Sequence, residues 1–298
     1  MTVKSTPIAR ALAAKMGINI EEVKGSGIGG RILMDDIKNF KTAPAAAVSQ
    51  PAQAPAVPTT PIKPTFEAHS EPVSPMRKAI AKAMTNSWDN VAYTNLVHKV
   101  DMTRLWNLRA SIKDLVFEKE NVKLTFLPYI VKAVAIALKE FPKFAAKYNE
   151  KENTLDYPGS VNVGIAVDTE AGLMVPVIND ANRLSILDIT SEVTRLASAA
   201  RKRTIKPNEM KGAGFTITNY GSVGSLFGVP VINYPELAIC GVGAIIDEPV
   251  IQNGQIVPGK VMYVTVAADH RWIDGAEVGR FASRVKELLE KPEVLGVY

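Results

Sequence analysis

Residues 43–72 cannot belong to a packed core. They begin Ala43-Pro-Ala-Ala-Ala-Val-Ser-Gln-Pro-Ala-Gln-Ala-Pro, with prolines at 44, 51, 55, 58, 61, 64 and 72 and few large apolar side chains. Such a composition buries too little apolar surface to offset the entropy of ordering it. Proline also favours an extended polyproline II form of about 3.1 Å per residue, a semi-stiff spacer. The 298-residue chain is thereby divided into a small unit (residues 3–42), an Ala/Pro-rich linker (43–72) and a large unit (73–298). The small unit lies near the lower size limit for independent folding. A long spacer between a mini-domain and a large domain implies that the mini-domain must reach or move. The single cysteine, Cys240, excludes an intrachain disulfide and suits a reducing, cytoplasmic setting. No apolar run of about 18 residues suggests a membrane span, and residues 1–15 lack the apolar core of a signal peptide. The net charge of +5 is mild and its signs interleave, which does not suggest nucleic acid but leaves affinity for acidic or phosphorylated partners.

Within the small unit, Gly25-Ser-Gly-Ile-Gly-Gly-Arg31 fits G-x-G-x-x-G, the pattern of a dinucleotide-binding turn. That chemistry needs a strand before the glycines, a helix opening at them and an acidic residue about 20 positions on. The preceding segment is instead helical: Thr6 is a plausible N-cap, Pro7 stands at the first helical position, and Gly17 ends the run. Ile18–Val23 forms a very short second element. Arg31–Phe40 is predicted as a second helix with Ile32, Leu33, Ile37 and Phe40 on one face, and only the Ala/Pro tract follows. The glycines are thus expected to shape a loop between two small helices.

The large unit mixes helices and strands. Helices are predicted from Ser74 (N-cap) to Met84, Met102 to Glu118, Leu127 to Lys139, Ser185 to Lys202 and Gly275 to Glu290. Strands are predicted at Ala92–Val100, Val161–Val167, Leu173–Ile178, Gly214–Thr218, Ala238–Val242 and Val261–Ala267, with a turn at Glu170–Gly172. The elements do not alternate strictly, so the expected fold class is α/β, a layered domain on a mixed sheet.

Three histidines are present. His69 lies in the spacer, and His98 reads as a surface or half-buried strand residue. His270 stands where the apolar strand 261–267 ends, in Asp269-His-Arg-Trp-Ile-Asp-Gly275. A strand end that enters a tight turn before a helix holds side chains firmly, as a general base requires. Residue by residue, a turn histidine and a general base remain equal readings.

The segment Asp269–Gly275 resembles the D-H-R-x-x-D-G signature of the dihydrolipoamide acyltransferases, the cores of 2-oxo acid dehydrogenase complexes, which is related to the H-x-x-x-D-G of chloramphenicol acetyltransferase. Arg77–Met84, Gly164–Ile178, Phe215-Thr-Ile-Thr-Asn-Tyr-Gly-Ser222 and Val231–Ile239 resemble further family segments. Residues 7–40 resemble the family's peripheral subunit-binding domain. The resemblance implies a chloramphenicol acetyltransferase-like α/β sandwich behind a small helical domain. It implies transfer of an acyl group, most simply acetyl in a pyruvate dehydrogenase-type complex, between dihydrolipoamide and coenzyme A. His270 would deprotonate the coenzyme A thiol, whose reference pKa is about 8.5, and the Thr218 hydroxyl would stabilise the oxyanion. By its residue type alone, Thr218 is an ordinary β-branched strand residue. Asp274 would fix the histidine loop through an ion pair with Arg77, and Asn219 would support the site or only shape a turn.

The same resemblance implies that Arg10 and Arg31 pair with acidic residues of a 2-oxo acid decarboxylase or a dihydrolipoamide dehydrogenase. The family often has a further arginine where Ala14 stands, beside Lys15. Seven Lys/Arg against four Asp/Glu in residues 1–42 are equally a solvated surface. Trimers with His270 from one chain and Thr218 from the next would build a cubic or dodecahedral core, a 24-mer or 60-mer, without a metal. No segment resembles a lipoyl domain; either it has been removed, or another chain supplies the lipoyl group. Branched-chain or other acyl specificity, a free-standing acetyltransferase and a non-catalytic scaffold are the alternatives.

Overall fold

The computed structural model describes residues 4–40 and 68–298, and the chain divides into two compact units, 1–69 and 70–298. Most of the predicted linker, residues 43–67, lies outside the described residues; residues 68–74 carry no regular element. No helix among the described residues is long and apolar enough to cross a membrane.

In the small unit, helix α1 (Pro7–Met16) begins at Thr6, whose hydroxyl accepts the Ala9 N–H at 3.2 Å. It ends at Gly17, in the left-handed region at φ 65°. A 3-10 turn (Ile20–Glu22) follows. The glycine run closes on itself: Gly27 and Arg31 bridge, the Gly30 N–H reaches the Gly27 carbonyl at 2.9 Å, and Gly29 and Gly30 both have positive φ. Asp36 braces this loop by accepting the N–H groups of Ser26 (3.0 Å) and Leu33 (2.7 Å). Ser26 foremost, then Leu33, holds its carboxyl below the usual range. Helix α2 spans only Met34–Lys38, shorter than the predicted Arg31–Phe40. Arg31 and Ile32 are instead spent on bridges to Gly27 and Ser5. Ile32, Ile37 and Phe40 reach the core with Ala9, Ala13 and Val23, whereas Leu33 stays exposed.

The large unit is built on β1 (Tyr93–Asp101), β4 (Val163–Ile165), β5 (Val177–Ile178), β6 (Phe215–Asn219), β7 (Ala238–Val242), β8 (Ile246–Gln252) and β9 (Gln255–Asp269), with β2 (Lys147–Asn149) and β3 (Thr154–Asp156) forming a separate ribbon. The sheet order is β1-β9-β7-β6-β4-β5, with β8 paired to the first half of β9. The β4–β6 and β6–β7 pairs are parallel and the rest antiparallel, so the sheet is mixed as predicted. Strands β4 and β5 are shorter than expected, because Pro176 has no N–H to continue the ladder; only the Val167–Met174 bridge extends it towards the turn at Gly172. The β8–β9 hairpin was not predicted. Its signal was Asn253-Gly254, both with positive φ as a two-residue hairpin turn requires.

Helices α3 (Pro75–Asn90), α4 (Thr103–Glu120), α5 (Leu127–Glu140), α6 (Ile186–Arg201) and α7 (Gly275–Glu290) complete the unit. Helix α5 is buried on every side, packed against α6 and α7. It even buries Lys132, whose ammonium donates to the Asn182 and Leu184 carbonyls at 3.0 and 2.8 Å. Phe281 of α7 stacks on Phe144 at 4.3 Å and lies 5.5 Å from Phe215. That contact fixes the alternation of β6: Phe215 and Ile217 enter the main core, while Thr216 and Thr218 line a groove on the other face. After β6 the chain crosses the exit of β7 so closely that a Cβ on Gly243 would lie 1.8 Å from the Leu226 carbonyl oxygen. Gly243→Ala is therefore expected to destabilise the protein by at least about 2 kcal/mol in denaturant unfolding. Gly296→Ala, with no atom within 4 Å of the new methyl, should change little.

Candidate active site

The end of β9 is tied to the start of β1 by a buried carboxylate. Asp269, 1% exposed, accepts the Ala92 N–H at 3.3 Å and the Arg271 N–H at 3.1 Å. The Arg271 guanidinium adds Nε at 3.0 and 3.1 Å and Nη2 at 2.7 Å. Between them the His270 N–H donates to the Ala92 carbonyl at 2.7 Å. The backbone on both sides of His270 is thus held, while its imidazole side chain is exposed. The N–H groups of Trp272 and Ile273 both donate to the Asp269 carbonyl at 3.0 Å, closing the turn. Trp272 stacks on Tyr148 at 4.6 Å, and the Arg271 guanidinium lies 5.8 and 5.7 Å from the two rings. Asp274 is the N-cap residue of α7, and its N–H donates to Glu277 Oε2 at 3.1 Å. Glu277 in turn pairs with Lys143 at 2.9 Å, a contact that lowers the Glu277 pKa and raises that of Lys143.

Among the described residues of one chain, Asp274 forms no ion pair with Arg77, the pairing implied by the resemblance. Arg77 sits near the start of α3 beside the Gly172 turn, where a Cβ on Gly172 would lie 3.9 Å from its guanidinium. Thirteen helical residues, roughly 20 Å at the usual rise, separate it from the α3 end that leads to Ala92 and the His270 loop.

Thr218 lies elsewhere on the sheet. It lines a groove of about 370 Å³ with Ala166, Leu173, Val175, Tyr220 and Asn233. The Tyr220 hydroxyl donates to Thr265 at 3.0 Å, holding the ring over Gly241. Thr218 pairs across β7 Gly241 with β9 Thr265, five residues before His270. Two strand spacings and five residues along a strand put the Thr218 and His270 backbones roughly 19 Å apart in one chain. Asn219 shapes a turn, accepting the Ser222 N–H at 3.2 Å. His98 is half-buried, with Ser283 Oγ 3.4 Å from its Nε2; burial first and Lys286 second lower its pKa. His69 is exposed. In the small unit Arg10 Nε donates to Ser5 Oγ at 2.8 Å, and Arg10 and Arg31 both lie on the surface.

Sequence reasoning missed Glu236. It is 2% exposed beside the groove and accepts Thr216 Oγ1 at 2.7 Å and Asn233 Nδ2 at 2.8 Å. Burial pushes its carboxyl up to about 7. The available signal was an acidic residue at the head of an apolar strand, in Pro235-Glu-Leu-Ala-Ile. Because the folded state holds this proton more tightly than the unfolded chain, the associated stability is full below the usual glutamate value of 4.5 and is lost as pH rises through about 7. Glu236→Gln should remove that dependence. Unfolding free energies at pH 5 and pH 8 should shift relative to wild type in favour of the variant at the higher pH, by up to about 3 kcal/mol.

Residues 65–297 match the family of 2-oxoacid dehydrogenases acyltransferase (catalytic domain), and residues 3–38 match the e3 binding domain. The chain is 39% identical over 305 residues to the dihydrolipoyllysine-residue acetyltransferase component of the pyruvate dehydrogenase complex of Staphylococcus aureus, covering 99% of this chain and 71% of that protein. The solved dihydrolipoamide acetyltransferase of Azotobacter vinelandii, whose catalytic mechanism was probed at a serine, a histidine and an asparagine, superposes with a TM-score of 0.74 at 34% identity, over 77% of this chain and 94% of that one. The cubic core of a pyruvate dehydrogenase multienzyme complex gives a TM-score of 0.74 at 33% identity, over 78% and 95%. The chain belongs to the 2-oxoacid dehydrogenase acyltransferase family, with an E3-binding domain ahead of its catalytic domain.

Proposed function

We propose that this acyltransferase moves an acetyl group between dihydrolipoamide and coenzyme A, as the core of a pyruvate dehydrogenase-type complex, with a site completed by two copies of the chain. The observation that carries the site is one of spacing. In the Azotobacter protein the probed serine precedes the histidine by 52 residues and the asparagine follows it by four. Thr218 precedes His270 by 52 residues and Asp274 follows by four. A hydroxyl, an imidazole and a polar loop residue thus recur at the same separations, with Asp in place of Asn at the last. Thr218 and His270 are too far apart to act within one chain, which favours a neighbouring copy bringing one to the other. Phe227 and Val229, 62% and 63% exposed on the wall of the Thr218 groove, are suited to being covered by that copy.

In this arrangement His270, fixed by the Asp269–Arg271 clamp, accepts the proton of the coenzyme A thiol. The resulting thiolate attacks the thioester carbonyl of the acetylated dihydrolipoyl arm. Thr218 donates a hydrogen bond to the carbonyl oxygen as it becomes anionic. When the intermediate collapses, the carbon–sulfur bond to the dihydrolipoyl arm breaks and His270 returns its proton to that sulfur. The dihydrolipoyl thiol is a substrate here, carried on another domain or chain. Asp274, at the N-cap position of α7 with its N–H held by Glu277, positions the loop rather than taking a proton. Arg10 and Arg31 on the E3-binding domain supply positive charge for dihydrolipoamide dehydrogenase or the 2-oxo acid decarboxylase. At Ala14, where the resemblance implies a further arginine, Lys15 is the neighbouring cation. Trimers in a cubic core, in the cytoplasm, complete the reading.

The test is acetyl transfer from acetyl-CoA to dihydrolipoamide by the assembled protein, with succinyl- and isobutyryl-CoA as comparison substrates. Acetyl-CoA should be the preferred donor. Thr218→Ala should lower kcat about 10²–10³-fold, and Thr218→Ser should retain most of it. Assembling His270→Ala together with Thr218→Ala chains should recover activity that neither variant has alone, because mixed contacts hold one intact residue of each kind. An assembled His270→Ala particle running at the wild-type rate would overturn the reading. Arg271→Ala should lower kcat at least tenfold with little change in the KM for either thiol, since it loosens the loop under His270 without touching the groove.

A further inference from the structure

The groove beside Thr218 has apolar walls, among them Leu173, Val175 and Ile239, and one carboxamide, Asn233. The backbone on the N-terminal side of Asn233 is held from two sides. The Ile232 N–H donates to the Tyr93 hydroxyl at 3.1 Å, and the Ile232 carbonyl accepts Ser87 Oγ at 2.5 Å. Its side chain is held as well, with Nδ2 2.8 Å from Oε1 of the buried Glu236. The other carboxyl oxygen, Oε2, accepts the Thr216 hydroxyl at 2.7 Å. With the NH₂ of Asn233 turned inward to Glu236, its Oδ1 takes no hydrogen bond from any described residue.

A largely apolar groove with a held carboxamide oxygen on its wall suits an extended aliphatic arm that carries an amide. Resting on the reading of this groove as part of the acyl-transfer site, we propose that Asn233 Oδ1 accepts the amide N–H of a thiol-bearing arm, and that Glu236 is the positioning residue that presents it. The pantetheine arm of coenzyme A and the dihydrolipoyl arm both have this chemistry. The thiol end then lies towards Thr218, which lines the same groove.

The test uses the assembled particle and steady-state acetyl transfer. Asn233→Ala is expected to raise the KM for one arm about 3- to 10-fold, with kcat within about twofold, as loss of one neutral hydrogen bond predicts. Glu236→Met, which frees the carboxamide to turn, should do the same. Glu236→Gln should behave as wild type, its oxygen towards Asn233 and its NH₂ towards the Thr216 hydroxyl. Dihydrolipoate in place of dihydrolipoamide, and a pantetheine analogue with an ester for the amide, decide between the two arms. The arm that occupies the groove should show no difference between wild type and Asn233→Ala once its N–H is gone. Unchanged KM values for both arms in assembled Asn233→Ala would overturn the inference. So would an equal loss with the amide-free analogues. Absence of transfer in the wild-type particle would instead overturn the functional reading, and this inference with it.

Discussion

A carboxylate that is almost wholly out of water must be surrounded by hydrogen-bond donors. Asp269 meets that demand with two backbone N–H groups and the Arg271 fork. One of those N–H groups belongs to Ala92, just before β1, and the other to Arg271, just past β9. Satisfying a single side chain therefore joins two segments far apart in sequence and leaves His270 between the fixed points. The imidazole is exposed, but its backbone is not free to wander. This separation of a rigid backbone from an accessible ring is what acid–base chemistry at that position requires.

The opposite constraint acts on β6. Its alternating side chains must serve two environments, and the aromatic cluster of Phe215, Phe281 and Phe144 decides which face is the core. Thr216 and Thr218 are then driven to the other face, where a buried glutamate and an amphipathic groove await them. Glycines at 241 and 243 let Tyr220 and the segment around Leu226 lie close over β7, so the groove has walls. The sheet thus presents a hydroxyl at one place and an imidazole at another, too far apart to share a substrate within one chain.

Much of this was legible in the sequence. Period-two and period-3.6 patterns located the helices and most strands, because burial on one face imposes those periods. Thr6 and Ser74 announced helix starts through capping chemistry, and each hydroxyl accepts the expected N–H; Ser185 caps α6 in the same way. The Asp-His-Arg motif and the Thr218 segment carried the resemblance to the family. What failed did so for local reasons. Proline at 176 cut the β4–β5 ladder, the bridges of Arg31 and Ile32 shortened α2, and an Asn-Gly turn went unread. Glu236 escaped because an acidic residue before a strand usually lies in solvent, and only long-range packing buries it.

The sequence by itself determined that a proline-rich stretch separates a mini-domain from an α/β domain on a mixed sheet, and that a histidine ends one of its strands. These follow from local propensity and side-chain periodicity, which act over neighbouring residues. Only the tertiary structure decided that Asp269 ties the end of β9 to the start of β1, that Arg77 and the His270 loop lie at opposite ends of α3 within one chain, and that Glu236 is buried behind Asn233. Those facts depend on which distant segments share a low-dielectric interior, and a buried charge or amide is settled by partners that no local pattern specifies.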